Sequence, residues 1–403
     1  LIFNNFVVGR PVATHPLATP TASRPTATPQ PLALPPDTML ADLSLLSSNE
    51  GWAVGDIVPG APAAPRSTTV FLHLAGGSWT LTDQRFPGVH VETISMASAD
   101  EGWAGGDKMS ADHTTLVGTM LHFSHGLWSE VVVPNTGNIS KVQMLSADEG
   151  WALATRPLAD ATCPQDAATC SGGSGGGNAG PSDHFSGILH YQHGVWSPVT
   201  FPASFPSPFW LDWHAGVVDL SMASPDDGWA VCQRLLVHYS HGEWQYRGML
   251  DGLGSTNRIA MISPTDGWIG GPTESVSNPK DPATPPSVSV PAAYHYDGTA
   301  WRPATLPAGL GAQGGAALLR FQPGPAGSVY LLAGAFFPGK ITPTTVLRYV
   351  GGTWHTVPFP GDLFITAIDD GWALGWVQGQ QPWVSSILYE RPSGEWAAYP
   401  VTR

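Results

Sequence analysis

Two sequence motifs alternate along this chain from about residue 39 to the C-terminus. The Gly-Trp motif is an apolar strand, a short acidic turn, Gly-Trp and a second apolar strand, with Ser146–Ala152 as its clearest turn. The turn-Trp motif is an apolar strand, a tight glycine turn and a tryptophan, as in Leu121–Trp128. Seven copies of each motif follow one another in strict alternation, which is the sequence signature of a repeat architecture.

The repeat accounts for 13 of the 17 tryptophans. The Gly-Trp motif places Trp52, Trp103, Trp151, Trp229, Trp268 and Trp372, and a degraded copy has Tyr330 at the same position. The turn-Trp motif places Trp79, Trp128, Trp196, Trp244, Trp301, Trp354 and Trp396. We expect these large aromatic side chains to pack between neighbouring repeats.

Each repeat has the pattern of a short antiparallel meander. Only 12% of the residues are charged and 47 are glycine, a composition typical of turn-rich β structure. Counted from the strand at Trp196, the next strands lie at Val218–Met222, Trp229–Cys232 and Leu235–Tyr239, with the acidic cluster as the hairpin turn and its glycine at positive φ. Seven four-stranded sheets predict an all-β, seven-bladed β-propeller, and a linear solenoid is the alternative.

The ends of the chain indicate how the ring closes. The first repeat lacks a preceding tryptophan strand, and the chain stops after one more such strand at Trp396–Thr402. We therefore expect this last strand to complete the first blade, so that the propeller is closed by its N- and C-terminal strands. The predicted domains are an extended arm at residues 1–37 and the propeller at residues 38–403.

The arm has two parts. Residues 10–36 are rich in proline, threonine and alanine, which predicts an extended spacer that cannot build a core. Ahead of the spacer stands a short β-prone segment with six apolar side chains, Leu1, Ile2, Phe3, Phe6, Val7 and Val8. Two interpretations fit this segment: the remnant of a membrane anchor or signal, and a strand that docks on another subunit. We favour the second.

The cysteines and the charge indicate where such a chain works. Cys163 and Cys170 bound a short loop with no nearby cysteine or histidine, so we expect a local disulfide and an oxidising, extracellular or cell-surface location. Cys232 lies in an apolar strand and is predicted to be a buried free thiol. The net charge of −14 argues against nucleic acid as a partner, and the apolar stretches are too short for a membrane span.

Two sets of ionisable residues recur once per repeat. The turn carboxylates are Glu50, Asp100, Glu101, Asp148, Glu149, Asp226, Asp227, Asp266, Asp369 and Asp370. The histidines six residues before the turn-Trp tryptophan are His73, His122, His190, His238 and His295. Equivalent positions of different blades are held apart on a ring, so we expect hairpin turns and surface strand positions instead of a metal or cofactor site.

The Ser-x-Asp-x-Gly-Trp-Ala pattern at Ser146–Ala152 resembles the repeat of the photosystem II assembly-factor-like propellers and, more distantly, the sialidase Asp box. The resemblance implies the fold over residues 39–403 and places the motif at a blade rim, away from chemistry. The Asp box has Gly-x-Thr-Trp where this chain has Gly-Trp.

The sequence predicts a non-enzymatic, secreted structural protein. No arginine cluster of the sialidase type, nucleophile elbow or phosphate-binding glycine loop can be assigned. We expect a homo-oligomer that associates through the arm into a fibre or surface layer. The alternatives are an extracytoplasmic binding or assembly-factor propeller tethered by a lost anchor, with a protein client or glycan on its face, and a sialidase-like, glycan-active enzyme.

Overall fold

The structure, a computed structural model, confirms the seven-bladed β-propeller. It describes residues 30–58, 67–111, 116–133, 136–155, 185–201, 205, 217–232, 235–254, 258–273, 291–308, 310, 316–337, 340–341, 343–377 and 384–402. Each blade is a four-stranded antiparallel sheet of consecutive strands, and the sixth blade carries one extra short strand.

The strands follow the chain from the first blade to the seventh. A short strand, β1 (Leu32–Ala33), precedes the ring. Blades one to three are β2 (Thr38–Ser47), β3 (Glu50–Ile57), β4 (Thr68–Ala75), β5 (Ser78–Pro87); β6 (Val89–Ser98), β7 (Glu101–Met109), β8 (Leu116–Ser124), β9 (Leu127–Val132); β10 (Ile139–Ser146), β11 (Glu149–Ala154), β12 (Phe185–Gln192), β13 (Val195–Thr200).

Blades four to seven continue in the same order. They are β14 (Asp219–Ser224), β15 (Asp227–Cys232), β16 (Leu235–Ser240), β17 (Glu243–Met249); β18 (Arg258–Ser263), β19 (Asp266–Pro272), β20 (Pro291–Tyr296), β21 (Trp301–Ala304); β22 (Ala316–Pro323), β23 (Val329–Phe337), β24 (Lys340–Ile341), β25 (Thr345–Val350), β26 (Thr353–Val357); β27 (Leu363–Asp369), β28 (Trp372–Val377), β29 (Val384–Glu390), β30 (Trp396–Ala398). The chain ends with β31 (Val401–Thr402), and a short 3₁₀ turn, Pro325–Gly327, lies between β22 and β23.

The first strands of successive blades contact one another and form the inner wall of the ring. Because strands alternate in direction, the turns between first and second strands and between third and fourth strands lie at one end of the ring, the hairpin face. The connections between second and third strands and from blade to blade lie at the opposite end, the connection face.

The structure corrects the predicted starting strand of each blade. The strand of Trp196 was predicted to open a blade, but it is β13, the outermost strand of the third blade, where Trp196 pairs with Tyr191. For the same reason Trp396 pairs with Glu390 in the seventh blade and does not complete the first.

The two ends of the chain nevertheless close the ring, as predicted. Strand β31 pairs in parallel with β1, with Leu32 opposite Val401. Leu32 and Leu34 are both 4% exposed and belong to a core cluster that joins the first and seventh blades. The C-terminal strand therefore closes the seam by holding the end of the arm, without exchanging a strand between blades.

The glycine of the Gly-Trp motif has a different role from the predicted one. In the first blade the turn is made by the two residues before Glu50, so Gly51 lies inside β3. A Cβ at Gly102 would lie 2.3 Å from Met96 Sδ, and one at Gly228 would lie at the same distance from Met222 Sδ. These glycines leave room for the methionine side chain of the neighbouring strand to cross the backbone. Among the glycines of the Gly-Trp motif, only Gly371 has a positive φ, of 81°.

Side chains of the inner wall form hydrogen bonds from one blade to the next at six of the seven interfaces. The hydroxyl of Ser95 accepts a hydrogen bond from the backbone N–H of Met144, 2.9 Å away, and Asp369 accepts one from Leu45 across the seam at 3.0 Å. Equivalent bonds are made by Ser44, Gln143, Ser221 and Gln322. The fifth blade has Ala260 at this position and makes no such bond.

Candidate functional site

Tryptophan pairs fill the interfaces between blades. The Gly-Trp tryptophan of one blade meets the turn-Trp tryptophan of the next edge to face, with ring centroids 5.2 to 5.7 Å apart. The pairs are Trp52–Trp128, Trp103–Trp196, Trp151–Trp244, Trp229–Trp301, Trp268–Trp354 and, across the seam, Trp372–Trp79. All six Gly-Trp tryptophans are at most 5% exposed, so this predicted set forms a structural layer.

Each recurrent histidine pairs with the carboxylate of its own blade. His73 Nε2 lies 2.8 Å from Glu50 Oε1, and His238 Nε2 lies 2.9 Å from Asp227 Oδ2. The other pairs are His122 with Glu101, His190 with Glu149, and His295 with Asp266. Each ring also packs on the Gly-Trp indole at 3.8 to 4.5 Å between centroids.

These pairs give the recurrent carboxylates and histidines a role that the sequence analysis missed. Among the described residues no group of three histidine, cysteine or carboxylate side chains could hold a metal ion. The sixth blade contains the sequence signal for this pairing, because the histidine and the carboxylate are both replaced there. Arg348 replaces the histidine and donates to the hydroxyl of Ser328, which replaces the carboxylate, while its guanidinium lies 5.6 Å from the Tyr330 ring.

A second ionisable cluster lies at the connection face between the first two blades. Asp56 is 3% exposed and lies 2.5 Å from His90 Nδ1, and it also accepts a hydrogen bond from the Thr69 hydroxyl. The hydrogen bonds with Asp56 and then Glu92 raise the pKa of His90 to about 10. His90 is therefore a cation at neutral pH, and its ion pair with Asp56 links the first blade to the second.

Carboxylates are also concentrated on the inner wall near the seam. Asp42 accepts a hydrogen bond from the backbone N–H of Ile94 at 3.2 Å, and Arg320 lies 3.9 Å from it. Although part of the Asp369 residue is exposed, burial of its carboxyl group raises the pKa to about 7, with smaller contributions from Asp370 and Asp42. Burial also raises the pKa of Asp42.

Two adjacent blade interfaces leave open clefts. The larger, of about 480 Å³, lies between the fourth and fifth blades and is lined by Trp229, His238, Arg247, Met249, Tyr296 and Trp301. The smaller, of about 340 Å³, lies between the fifth and sixth blades around Trp268, Arg302 and Trp354. Volumes of this size suit a small ligand. The larger cleft, called cleft A below, is the candidate binding site.

Other predicted features have different outcomes. Cys232 is a free thiol, 1% exposed, and burial raises its pKa, which confirms the predicted buried cysteine. Cys163 and Cys170 and the apolar arm residues Leu1, Ile2, Phe3, Phe6, Val7 and Val8 lie outside the described residues. No described helix is long and apolar enough to cross a membrane.

Known structures with the same fold support the class of protein, a β-propeller. The β-propeller domain of the trilobed protease from Pyrococcus furiosus, described as having an open velcro topology, is 9% identical, with a TM-score of 0.50 over 90% of this chain and 97% of that domain. Pyrococcus horikoshii acylaminoacyl peptidase is 11% identical, with a TM-score of 0.51 over 90% of this chain and 52% of the peptidase.

A third similar structure is PorZ, a surface component of the Porphyromonas gingivalis type-IX secretion system. It is 10% identical, with a TM-score of 0.31 over 89% of this chain and 48% of PorZ, a level that carries no functional argument. Neither a protein-family model nor a curated protein matches the sequence. The resemblance to assembly-factor-like propellers is therefore supported as a fold and not as a family.

Proposed function

We propose that this chain is a non-enzymatic structural protein of the cell exterior that self-associates through the apolar segment of its arm. The observation that carries the proposal is the anchoring of the arm in the ring. Leu32 and Leu34 are buried at the seam, and their backbone N–H groups donate to Pro400 and Thr402, each at 2.9 Å. The arm is thus attached at a defined point of the ring, and the segment at the start of the arm is apolar and β-prone.

The use of the ionisable side chains supports a non-enzymatic role. A catalytic carboxylate or histidine must face a substrate, whereas the recurrent pairs, such as His190 with Glu149, are made within a blade against a buried indole. His90 stays protonated at neutral pH and cannot serve as a general base there. A turnover screen on arylglycosides is expected to show no activity, and measurable hydrolysis would favour the glycan-active alternative.

Sedimentation velocity across a wide concentration range tests the self-association. Full-length protein is expected to sediment faster as its concentration rises, because the apolar segment adds to the exposed sheet edge of a second copy. A chain without residues 1–9 and a Phe3→Ser/Phe6→Ser variant are both expected to remain monomeric. Both retain Leu32 and Leu34, so the seam stays closed.

The matched control changes two apolar residues of the spacer, Val12→Ser/Leu17→Ser, and is expected to associate like the full-length protein. If full-length, truncated and substituted proteins all sediment as the same monomer, self-association is wrong. The interpretation of the segment as an anchor remnant then takes its place.

One observation favours the second candidate, a binding or assembly-factor propeller. Three long connections, residues 156–184, 202–216 and 274–290, join strands of the third to fifth blades whose ends lie at the connection face. Long propeller connections commonly carry binding specificity. Replacing residues 274–290 by a short Gly-Ser linker should abolish chemical cross-linking to a client at the cell surface while leaving sedimentation unchanged; unchanged cross-linking would exclude a role for this connection.

A further inference from the structure

The turn-Trp tryptophans divide into two groups by exposure. Five are buried, with Trp196 the most exposed of them at 9% and Trp79 the least at 2%. Trp301 and Trp354 are partly exposed, and they belong to the interfaces on either side of the fifth blade. The same repeat position is thus covered at five interfaces and open at two.

Other side chains of the protein lie beside each of the five buried tryptophans or bond to its backbone. The Tyr399 hydroxyl accepts a hydrogen bond from the Trp79 backbone N–H at 3.0 Å, and the Phe359 ring lies 4.6 Å from the Trp396 ring. Phe201 lies 5.9 Å from Trp244. The Gln84 side chain forms hydrogen bonds with both the backbone N–H and the carbonyl of Trp128. Val131 and Val133 belong to the same core cluster as Trp196. Three of these five covers are aromatic rings.

Among the described residues, no aromatic side chain takes the covering position at cleft A. The fifth residue after the turn-Trp tryptophan is Phe201 in the third blade and Phe359 in the sixth, but it is Met249 in the fourth. Met249 is 47% exposed and leaves the aromatic floor of the cleft open. The partly exposed rings of Tyr296 and Trp301 form that floor above the buried Trp229, and the three ring centroids lie 5.2 to 5.6 Å apart.

One cation lines cleft A without an ion-pair partner in the described part of the chain. Arg247 is exposed, lines the cleft and makes no ion pair with a carboxylate among the described residues. At the smaller cleft the corresponding charge is neutralised, because Arg302 Nε lies 2.7 Å from Asp297 Oδ2. His238 also lines cleft A, but its Nε2 already shares a hydrogen bond with Asp227 Oδ2. Cleft A therefore combines an aromatic floor with a guanidinium that no carboxylate of the described residues neutralises.

We propose that cleft A binds an aromatic ring that bears a carboxylate, with the ring in the place that Phe201 and Phe359 fill at other interfaces and the carboxylate on Arg247. Stacked or edge-to-face aromatic contacts favour a planar ring over a saturated one. A guanidinium and a carboxylate form strong, charge-assisted hydrogen bonds. The ring and carboxylate can come from a free aromatic acid or from a C-terminal phenylalanine of a peptide.

Ligand-observed NMR titration of the full-length protein tests the proposal with 3-phenylpropionate as the probe. We expect a dissociation constant on the order of 1 mM, since so small a ligand gains little free energy per atom. The neutral 3-phenylpropanamide and the saturated cyclohexanepropionate are expected to bind several-fold more weakly. A failure of 3-phenylpropionate to bind at about 10 mM, or equal binding of all three, would overturn the proposal.

Variants locate the binding. Arg247→Gln should weaken it on the order of 10-fold. Met249→Phe supplies the missing cover and should abolish binding without lowering the melting temperature. Lys108→Gln removes a positive charge from the second blade, where Lys108 pairs with Glu130, and this variant should bind the ligand normally. Retained binding by both cleft variants would place the ligand elsewhere and refute the site.

A last comparison distinguishes the two sources of the ligand. Acetyl-Ala-Ala-Phe with a free carboxylate should bind more tightly than 3-phenylpropionate if a peptide terminus is the natural ligand, and more weakly if a free acid is. Sedimentation of Met249→Phe should match that of the full-length protein. Loss of ligand binding is thereby distinguishable from failure of the proposed self-association.

Discussion

Removing the C-terminal strand gives a quantitative test of how the ring closes. A chain that ends at Tyr399 loses the two backbone hydrogen bonds from Leu32 and Leu34 to β31. Two such bonds are worth about 1–3 kcal/mol together. Both leucines are 4% exposed, and their complete exposure would add about 3–6 kcal/mol. The free energy of unfolding should therefore fall by about 1 kcal/mol if both leucines stay covered and by up to about 9 kcal/mol if both become exposed.

Differential scanning calorimetry converts this range into a temperature. For a ring of this size the entropy of unfolding makes 1 kcal/mol correspond to roughly 1–2 °C, so the melting temperature should fall by roughly 1–18 °C. A chain that begins at residue 35 removes β1 from the other side and should melt at a similarly reduced temperature. A chain that begins at residue 30 keeps β1 and is the control, expected to melt like the full-length protein.

The double truncation decides whether β1 and β31 act together. Because each strand stabilises the seam only through the other, the loss for residues 35–399 should be smaller than the sum of the two single losses. Strict additivity, or a melting temperature that changes by less than about 1 °C when β31 is removed, would show that packing between the first and seventh blades closes the ring without the terminal strands.

Three further predictions follow from single sites. The melting temperature of Asp369→Asn should rise relative to that of the native protein as the pH increases from 4 to 8. Burial raises the pKa of Asp369 to about 7, so this acid stabilises the fold only while it is protonated. A difference in melting temperature that is constant with pH would contradict this. Gly228→Ala should cost about 1–3 kcal/mol in denaturant unfolding, since its Cβ would lie 2.3 Å from Met222 Sδ. In the double variant with Met222→Ala the total loss should be smaller than the sum of the two single losses, and additive losses would show that the contact is not the cause. Cys163 and Cys170 should be found bonded by peptide mapping of protein from an oxidising compartment, and two free thiols would exclude the local disulfide.

The sequence predicted the fold because the repeat is strong, but it did not predict where a blade starts. A repeat of four strands has the same period whichever strand is counted first. Tryptophan spacing alone therefore does not show which strand begins a blade. The connection lengths hold the missing signal. A two-residue turn, His193 and Gly194, joins the Trp196 strand to the strand before it, whereas a long connection separates it from Asp219. Short turns join strands of one sheet, so Trp196 had to end a blade.

The role of the motif glycine was missed for a related reason. A glycine after an acidic pair is a common turn signal, and sequence reasoning assigned Gly102 a positive φ. In the structure the constraint comes from the neighbouring strand, where Met96 Sδ would lie 2.3 Å from an added Cβ. Such a contact depends on strand register, which local sequence does not specify. The recurrence of methionine six residues before the glycine, at Met96, Met144, Met222 and Met261, is the pattern that could have indicated it.

Cleft A was out of reach of motif searching, because what defines it is the absence of a covering side chain in an otherwise regular repeat. Trp301 matches the other turn-Trp tryptophans in sequence, and the residue five positions after the turn-Trp tryptophan of the preceding blade, Met249, determines whether its ring is covered. Replacing a phenylalanine by Met249 exposes a preformed aromatic surface without disturbing the sheet beneath it, since Trp229 and Trp301 still make the edge-to-face contact found at five other interfaces. A repeat protein can thus gain a binding site at one interface while the remaining interfaces maintain its stability. The same reasoning implies that the open cleft costs little, and Met249→Phe should therefore leave the melting temperature unchanged or higher even as it removes the site.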